Sequence, residues 1–570
     1  MAIYEKFIGR NRDSFESLED AQKNYKITYP DNFNYAFDVI DELAKTKPNK
    51  LAMIWVSKDE TEEKRFTFRD LMKLSNKAAN YFISLGIKKG DKVLLVLKRS
   101  YLFWISMLAL HKIGAIGIQA THMLMYHDYT YRCQAANIKA VIITGDGDPA
   151  DRFEECSKDC PSVSIKITTL DKHLSGWHNF EEEYEACSDV FERPTGDAAT
   201  KATDIMLLSF TSGTNDYPKM VLHDFTYPLG HIVTGVFWHR VVDGGVHFTI
   251  SDTGWLKSLW GKFYGQWLGE SAVLVYDFEK FNADKILGIM EKYKVTTFCV
   301  PPTMYRLLLQ SDVSKYDLSS LVHCNAAGEA LNPEIFNTWK AATGLEIYEG
   351  FGQTETTCCI ATLYGYDKPK SGSIGKSALG YQTEIVNEDG QLCMPGEVGE
   401  ICIKATLDNK PCGLCCGYYN NPEATAESWR DGYYHTGDKA FIDENKKIQY
   451  VGRNDDVIKS SGYRIGPFEV ESVLLEHPAV LEVAVTGIPD PVRGFNVKAT
   501  IVVKNGYVES DELKKELQDY VKHNTAPYKY PRVIEFVKEL PKTFNGKIRR
   551  TEIRQADIAK YNAEHGTHIM

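Results

Sequence analysis

Groups that can hold phosphate are concentrated between residues 211 and 219, where the sequence is Thr-Ser-Gly-Thr-Asn-Asp-Tyr-Pro-Lys. Hydroxyls and backbone N–H groups can surround phosphate oxygens while a lysine supplies positive charge. The segment follows the apolar run 205–208, so we expect a strand that leads into an anion-binding loop. The residues expected to bind phosphate are Thr211, Ser212, Gly213, Thr214 and Lys219.

A surface turn is the alternative interpretation of this segment, because clusters of Ser, Thr, Gly, Asn and Asp usually form turns. A Walker P-loop is disfavoured, since that motif requires Gly-x4-Gly-Lys-Ser/Thr. The choice between turn and phosphate loop therefore depends on the motifs that follow.

Glycine-containing motifs with charged side chains follow the loop in order. They are Gly328-Glu329-Ala330-Leu331, the segment 348–355 (Tyr-Glu-Gly-Phe-Gly-Gln-Thr-Glu), Tyr434-His435-Thr436-Gly437-Asp438, Gly452-Arg453-Asn454-Asp455-Asp456, Ser461-Gly462-Tyr463-Arg464 and the segment 541–547 (Pro-Lys-Thr-Phe-Asn-Gly-Lys). From about residue 40 to residue 555 this ordered set resembles the adenylate-forming superfamily of acyl-CoA synthetases, peptide-synthetase adenylation domains and luciferases. Within it the chain is most similar to medium-chain acyl-CoA synthetases, through segments 251–255 and 490–494.

The resemblance implies a nucleotide site. Its adenine and ribose residues would be Gly328, Glu329, Ala330, Glu349, Gly350, Phe351, Gly352, Asp438, Arg453 and Arg464. An aromatic ring beside glycines offers a stacking surface and close approach to a purine. The catalytic residues implied are Lys547, Thr354, Glu355 and His223. Glu355 would also hold Mg²⁺, which prefers carboxylate oxygen and binds phosphates directly.

An acyl pocket is expected in the aromatic stretch 255–267. Indole rings can form the apolar walls of such a pocket, although tryptophans at these spacings are also typical of a core. The candidates are Trp255, Lys257, Trp260 and Cys299.

A second domain is expected to begin at Asp455, where the family has a hinge and the sequence has a polar, turn-competent triplet. The boundaries are then 1–454 for an ATP- and acyl-binding domain and 455–570 for a mobile domain. The resemblance places the CoA path at Ser461, Gly462, Tyr463 and Arg493. Gly462 suits a thin ligand because it has no Cβ.

The reaction implied has two steps, in which ATP and a carboxylic acid give acyl-AMP and CoA then displaces AMP. The acid would be short- or medium-chain, branched or aromatic. Two alternatives stay open: an adenylating enzyme with another acceptor, and a non-catalytic nucleotide- or acyl-binding homologue. Asn215 and Asp216 depart from the family loop and place a carboxylate close to the expected pyrophosphate.

The elements that position these residues follow from hydrophobic periodicity. Helical patterns such as 68–75 alternate with β-branched runs such as 92–97 and 139–144, which predicts an α/β fold with largely parallel sheets flanked by helices. The last hundred residues predict a small α/β unit with strands near 480–485 and 497–503. Its helix would present Leu513, Leu517, Tyr520 and Val521 on one face. We expect residues 1–35 to pack on the body.

Composition limits the partners. The 570 residues allow about two to four domains, and a net charge of −11 argues against nucleic acid and anionic membrane as partners. The apolar stretch 93–110 contains Lys98 and Arg99, so it predicts a strand and a core helix instead of a membrane span. Scattered cysteines and a polar N-terminus favour a reduced, cytoplasmic protein. The C-x2-C spacing at Cys412 and Cys415 has no second pair. A homo-oligomer remains open.

Overall fold

The computed structural model describes residues 1–211, 218–329, 331–370, 372–453, 456–461, 463–542 and 548–566. Some residues expected to act in the site lie outside these ranges, namely Ser212, Gly213, Thr214, Ala330, Asp455, Gly462 and Lys547. The side chain of Arg464 lies outside the described part as well.

Residues 1–232 contribute nine strands and nine α-helices within the described ranges. The strands are β1 (Leu51–Val56), β2 (Glu63–Thr67), β3 (Lys92–Val96), β4 (Ile116–Gln119), β5 (Ala140–Ile143), β6 (Ile165–Thr168), β7 (His178–Asn179), β8 (Ile205–Phe210) and β9 (Met220–Asp224). The helices are α1 (Glu5–Ile8), α2 (Leu18–Asn24), α3 (Glu42–Thr46), α4 (Phe68–Ser84), α5 (Leu102–Ile113), α6 (Tyr126–Ala136), α7 (Pro149–Cys156), α8 (Phe180–Tyr184) and α9 (Tyr227–Ile232).

The middle of the chain adds strands and helices up to residue 453. The strands are β10 (Val246–Thr249), β11 (Ala272–Tyr276), β12 (Thr297–Val300), β13 (His323–Ala326), β14 (Ile347–Phe351), β15 (Ile360–Ala361), β16 (Ser373–Ser377), β17 (Thr383–Val386), β18 (Gly399–Lys404), β19 (Trp429–Arg430), β20 (Tyr433–Ile442) and β21 (Ile448–Arg453). The helices are α10 (Lys257–Lys262), α11 (Tyr264–Leu268), α12 (Ala283–Lys292), α13 (Pro302–Leu308), α14 (Pro333–Thr343) and α15 (Pro422–Ser428).

The C-terminal part forms a small α/β unit. Its strands are β22 (Ile458–Ser460), β23 (Tyr463–Ile465), β24 (Val480–Asp490), β25 (Gly494–Val503) and β26 (Val533–Phe536), and its helices are α16 (Pro467–Glu476), α17 (Asp511–Asn524) and α18 (Arg550–His565). π-helices span Ala36–Asp41 and Val233–Trp238, and 3-10 turns span Arg12–Ser14, Ser157–Asp159, Gly196–Ala198, Val313–Lys315 and Pro527–Lys529.

Two large sheets form the main body. The first has the order β7-β6-β5-β3-β4-β8-β9, parallel except for the antiparallel pair β8 and β9. In the second, β1, β11, β10, β12, β13 and β14 are parallel, and the sheet continues through antiparallel β15, β16, β21, β20, β18 and β17. Parallel strands need helices on both faces, which explains why β5 is buried at every residue. The expected α/β fold is confirmed.

The apolar stretch 93–110 forms strand β3 and part of helix α5, as predicted. Every residue of α5 is buried, and it follows β3 directly, as a strand and core helix should. Lys112 on this helix is buried as well, and its charge is met by Asp41 Oδ1 at 2.8 Å. Among the described residues, no helix is both long and apolar enough to cross a membrane.

The N-terminal segment packs on the body as expected. Ile3, Tyr4, Phe7 and Phe15 are buried, and the backbone N–H of Ile3 donates to the buried carboxylate of Glu270 at 2.8 Å. These contacts make the first 35 residues an integral part of the large core.

The C-terminal unit has its own sheet and core. Strands β23, β22, β25 and β24 pair antiparallel, and β26 adds to β25 in parallel. Helix α17 buries Leu513, Leu517 and Val521 against this sheet, and Tyr520 packs its ring on His477 at 5.0 Å. The helical face expected from the sequence is therefore present. The domain boundary at 454 and 455 lies outside the described residues and stays a prediction.

Candidate active site

The carboxyl ends of three neighbouring parallel strands bring the predicted site residues together. Strands β12, β13 and β14 lie side by side, and Cys299, Gly328 and Phe351 lie at or just beyond their carboxyl ends. Parallel strands place such residues at one edge of a sheet, where open α/β folds bind ligands.

Strands β8 and β9 flank the segment predicted to bind phosphate. Backbone N–H of Thr211 donates to the carbonyl of Lys219 at 2.9 Å, which closes the base of the loop. Strand β9 then pairs with the segment 416–419 through bonds that include Leu222 N–H to Gly417 O at 3.1 Å. This pairing brings Tyr418 beside the loop, and Lys219 Nζ lies 5.1 Å from the centre of the Tyr418 ring.

Glu355 lies on the other side of Tyr418. The Tyr418 hydroxyl donates to Glu355 Oε1 at 2.9 Å. One tyrosine therefore contacts both Lys219, which is predicted to bind phosphate, and Glu355, which is predicted to bind magnesium. Burial raises the pKa of Glu355, while the Tyr418 hydrogen bond and the charges of Arg453 and Lys219 act in the opposite direction. A cation brought next to Glu355 would favour its charged form further.

His223 supports the loop that carries Thr354 and Glu355. Its Nε2–H donates to the carbonyl of Thr354 at 2.7 Å, and its ring packs on Tyr227 at 4.0 Å. Burial lowers the pKa of His223 to about 4, so the imidazole is neutral near neutral pH. In this arrangement His223 positions Thr354, and a direct role in catalysis stays a prediction.

The predicted ribose residue Asp438 is held by three neighbours. Gln353 Nε2 donates to Asp438 Oδ2 at 2.5 Å, and Tyr450 OH donates to Oδ1 at 2.8 Å. Arg453 stands opposite Asp438 in the β20–β21 register and approaches Oδ2 at 3.3 Å. A bulge between Lys439 and Ala440 shifts the pairing by one residue, so that both Tyr450 and Arg453 reach the same carboxylate.

The predicted adenine motif is packed against aromatic rings. Phe351 lies 5.9 Å from the Tyr450 ring. A Cβ on Gly350 would come within 2.5 Å of Trp238, and one on Gly352 within 2.3 Å of Trp260. Both glycines are thus required by packing alone, and their close approach to a purine stays a prediction.

The two glutamates of this motif bind backbone in the structure. Glu329 Oε1 accepts from Thr303 N–H at 3.0 Å, and Glu349 Oε1 accepts from Leu331 N–H at 3.1 Å. Burial raises the pKa of Glu349 to about 8, so its carboxyl is largely protonated near neutral pH. Through its bond to Leu331 N–H, Glu349 holds the segment that follows Gly328. Gly328 itself has a φ of +106°, which requires glycine.

The predicted acyl residues lie beside the same turn. Lys257 Nζ donates to Ala327 O at 2.6 Å, directly before Gly328. Burial lowers the pKa of Lys257, which the nearby Cys299 and Glu329 partly oppose. Cys299 and Trp260 are buried, and Trp255 is half-buried. Trp260 lies between Gly352 and His231, whose ring is 5.8 Å away, so the nucleotide motif and the expected acyl pocket share a wall.

The predicted CoA residues form one surface of the C-terminal unit. Arg493 NH1 donates to Ser461 Oγ at 3.0 Å, and Ser461 N–H donates to Arg493 O at 2.9 Å. The half-exposed Tyr463 stacks on Tyr528 at 4.1 Å. Ser461 and Arg493 are thus brought together, while Gly462 and Lys547 lie outside the described residues.

Comparison with known proteins agrees with this geometry. The family model described as AMP-binding enzyme matches residues 40–419, and the model of the AMP-binding enzyme C-terminal domain matches residues 469–547. The chain belongs to the AMP-binding enzymes.

Relatives place the chain within this family among the acyl-coenzyme A synthetases. It is 38% identical to acyl-coenzyme A synthetase ACSM3, mitochondrial, of Rattus norvegicus, over 97% of this chain and 96% of the relative. It is 41% identical to acyl-coenzyme A synthetase ACSM5, mitochondrial, of Homo sapiens, over 93% and 92% of the two chains. The resemblance to medium-chain acyl-CoA synthetases is thereby confirmed.

Solved structures of this family share the fold. An anthranilate CoA ligase, AuaEII, in complex with anthranoyl-AMP superposes with a TM-score of 0.84 at 29% identity, over 94% of this chain and 99% of the other. A benzoate CoA ligase from Burkholderia xenovorans LB400 has a TM-score of 0.77 at 27% identity, over 92% and 100% of the chains.

Three polar residues that contact the predicted family residues were missed in the sequence. Gln353 belongs to the motif 348–355, but from the sequence we predicted site roles for Thr354 and Glu355 and none for Gln353. Tyr418 reaches Glu355 because β9 pairs with the distant segment 416–419, and Tyr450 reaches Asp438 because the bulge shifts the register of β20 and β21. No spacing rule within one chain segment would have revealed the two tyrosines.

Proposed function

We propose that this AMP-binding enzyme joins a carboxylic acid to coenzyme A at the expense of ATP. In the first step a carboxylate oxygen attacks the α-phosphorus, acyl-AMP forms and pyrophosphate leaves. In the second step the CoA sulfur attacks the acyl carbon, the thioester forms and AMP leaves. The acyl-coenzyme A synthetases among the relatives support this reaction.

The observation that carries the proposal is the set of contacts around Asp438. Its carboxylate is almost fully buried, yet it is met by Gln353, Tyr450 and the half-exposed Arg453. Such a carboxylate is pre-oriented to accept hydrogen bonds from two adjacent ribose hydroxyls. Phe351, which packs on Tyr450, would contact the base.

The other end of the site suits phosphate and a hard cation. Lys219 and Glu355 both contact Tyr418, so one positive charge and one carboxylate lie close to the same tyrosine. Oxygen donors at Thr354 and Glu355 fit Mg²⁺, which they would hold beside the phosphates. The ion, when bound, would offset the negative charge that develops in the first step. Lys219 would bind the pyrophosphate oxygens by charge.

Lys547 would carry the remaining positive charge of the first step. The resemblance assigns it to bridge the carboxylate and the α-phosphate, and electrostatic stabilisation of this kind is often the largest catalytic term. Rotation at Asp455 would then bring Ser461, Gly462, Tyr463 and Arg493 to the pantetheine path. The contact between Ser461 and Arg493 supports a common surface for this purpose.

The class of acid is supported by the relatives and by the aromatic wall at Trp260. Two solved neighbours are named for the aromatic acids anthranilate and benzoate, which supports including aromatic acids among the candidates. We propose a short- or medium-chain, branched or aromatic acid for this chain. The curated relatives are named mitochondrial, and a cytoplasmic location and a homo-oligomer stay predictions.

A thioester assay with an acid panel tests the proposal. Purified protein is given ATP, Mg²⁺, CoA and short, medium, branched and aromatic acids, and acyl-CoA and AMP are measured together. We expect equal amounts of both products with at least one acid, and a large loss in Asp438→Asn. AMP release that continues without CoA would favour another acceptor, and no turnover with any acid would favour the non-catalytic homologue.

A further inference from the structure

A cluster of three different metal-ligating groups lies on strands β18 and β20. Glu400 and Cys402 come from β18 and His435 from β20, and Cys402 stands opposite His435 in the register. His435 Nδ1 lies 3.1 Å from Glu400 Oε2 and 3.5 Å from Cys402 Sγ. All three ligand atoms lie within 4.8 Å of one another, and no second group of this kind occurs among the residues that the structure describes.

Strand irregularity creates this cluster. The pairing of β18 with β20 shifts between Glu400 and Cys402, which leaves extra residues of β20 opposite Ile401 and lets the Glu400 side chain reach His435. Glu400 Oε1 meanwhile accepts from Gly437 N–H at 2.9 Å. One carboxylate oxygen is therefore used by the backbone, and the other faces the thiol and the imidazole.

Two of the three distances between donor atoms fit a tetrahedral zinc ion, and the third, between Glu400 and Cys402, is at most 4.8 Å. With Zn–N and Zn–O bonds of about 2.0–2.2 Å and Zn–S of about 2.3 Å, neighbouring donors in a tetrahedron lie roughly 3.3–3.6 Å apart. The separations of 3.1 and 3.5 Å need only small adjustments to reach these values. Three protein donors leave a fourth position for water.

The donor types select the ion. A thiolate and an imidazole favour Zn²⁺ over Mg²⁺ and Ca²⁺, which prefer oxygen ligands. The oxygen donors proposed for Mg²⁺ at Thr354 and Glu355 are therefore chemically distinct from this cluster. The C-x2-C pair at Cys412 and Cys415 is not part of any such group in the described chain, so the spacing that suggested zinc in the sequence lies elsewhere.

We propose that Glu400, Cys402 and His435 form a zinc-binding site separate from the reaction centre. Zn²⁺ would be bound by Glu400 Oε2, Cys402 Sγ and His435 Nδ1, and the thiol proton and any proton on Nδ1 would leave to solvent. The bond from Gly437 to Glu400 Oε1 would be kept. Arg430, whose exposed side chain lies 3.9 Å from Oε2, would turn towards solvent when the ion binds.

The position of the site gives it a structural consequence. His435 precedes Asp438 by three residues on β20, and Glu400 holds the Gly437 turn between them. An ion that joins β18 to β20 would therefore fix the start of the strand that carries Asp438. A ligand that binds only the folded chain raises its stability, so Zn²⁺ should raise the melting temperature.

A zinc titration of the full chain tests this inference. Protein freed of metal by a chelator is titrated with Zn²⁺ against a chromogenic competitor, alongside Cys402→Ser, His435→Gln and a control, Cys393→Ser. Cys393 is a half-buried thiol that does not belong to the cluster. We expect one tight zinc in the wild type and in Cys393→Ser, and binding at least about 10-fold weaker in the two ligand variants.

Cobalt gives an independent readout. Co²⁺ bound to a thiolate shows an intense sulfur-to-metal absorption band, which we expect in the wild type and Cys393→Ser but not in Cys402→Ser. Should Cys402→Ser fold poorly, Glu400→Gln replaces it in the zinc titration, because it keeps an acceptor for Gly437 N–H and removes the carboxylate ligand. Equal zinc affinity in all variants, no tight zinc in the wild type, or displacement of the zinc by excess Mg²⁺ would each overturn the proposal.

Discussion

The hydroxyl of Tyr450 donates a 2.8 Å hydrogen bond to Asp438 Oδ1, and the same tyrosine ring packs on Phe351. One side chain thus connects the predicted ribose carboxylate to the predicted adenine platform. The link depends on the bulge in β20 and β21 that shifts their register at Ala440. Loss of the Tyr450 hydroxyl should weaken binding of the nucleotide more than binding of the acid.

Tyr450→Phe is expected to raise KM for ATP while it leaves KM for the acid nearly unchanged. The ring stays on Phe351, but Asp438 loses a donor. A hydrogen bond to a charged group contributes about 1.5–3 kcal/mol, or roughly 10- to 100-fold. Steady-state kinetics on both substrates provide the measurement. Tyr366→Phe is the matched control, because its hydroxyl donates to the Arg12 carbonyl and not to a predicted site residue among those described. Equal effects of the two variants would contradict the role given to Tyr450.

Glu349 should make the stability of the protein depend on pH. Burial raises its pKa from the ordinary value of 4.5 to about 8 in the folded chain. A carboxyl whose pKa is raised on folding stabilises the fold below its unfolded pKa, and that contribution is lost as pH rises through the folded pKa. The loss should therefore fall between pH 4.5 and about 8.

Glu349→Gln keeps an oxygen acceptor for Leu331 N–H and cannot ionise. We expect its denaturation midpoint to fall less than that of the wild type between about pH 6 and about pH 9. Urea unfolding at the two pH values gives the comparison. Parallel curves for the two proteins would contradict a raised pKa of Glu349 in the folded chain.

The acid preference should depend on Trp260. The Trp260 ring fills the space that Gly352 leaves. Because phenylalanine is smaller, Trp260→Phe would enlarge the expected pocket at the wall that it shares with the nucleotide motif. We expect the order of kcat/KM across the acid panel to shift towards bulkier acids. Trp238→Phe is the control, since Trp238 packs on Gly350 but was not expected to line the pocket. An unchanged order in Trp260→Phe would make this residue part of the core alone.

The sequence predicted the scaffold well, because local patterns determine it. The run 92–97 and the apolar stretch after it became β3 and α5, and the spacing of Leu513, Leu517 and Val521 became the buried face of α17. The motif order also predicted that Asp438 and Arg453 belong to one site, and they face each other across β20 and β21.

The sequence could not predict contacts that depend on the register of paired strands or on the pairing of segments far apart in the chain. Tyr418 reaches Glu355 because β9 pairs with residues 416–419. The need for glycine at position 350 arises from Trp238, about a hundred residues earlier in the chain, and at position 352 from Trp260 together with the backbone carbonyl of Thr357. The neutral state of His223 depends on complete burial, which no local motif specifies.

The two half-reactions should depend on different residues. Lys547→Ala is expected to lose acyl-AMP formation by about 100- to 1000-fold, as removal of one stabilising donor typically does, and to convert supplied acyl-AMP and CoA to thioester at a near wild-type rate. Gly462→Leu is expected to keep pyrophosphate release in a single turnover and lose thioester formation, because a side chain would obstruct the pantetheine path. Equal loss of both steps in both variants would contradict a two-conformer mechanism.

Pyrophosphate exchange tests the central claim that the chain activates an acid as its adenylate. Labelled pyrophosphate is incubated with enzyme, ATP, Mg²⁺ and the best acid, with CoA left out, and label in ATP is measured over time. We predict exchange that requires the acid, is abolished in Asp438→Asn and is preserved in Gly462→Leu. An absence of acid-dependent exchange in folded wild-type protein that still forms acyl-CoA would contradict the acyl-AMP route.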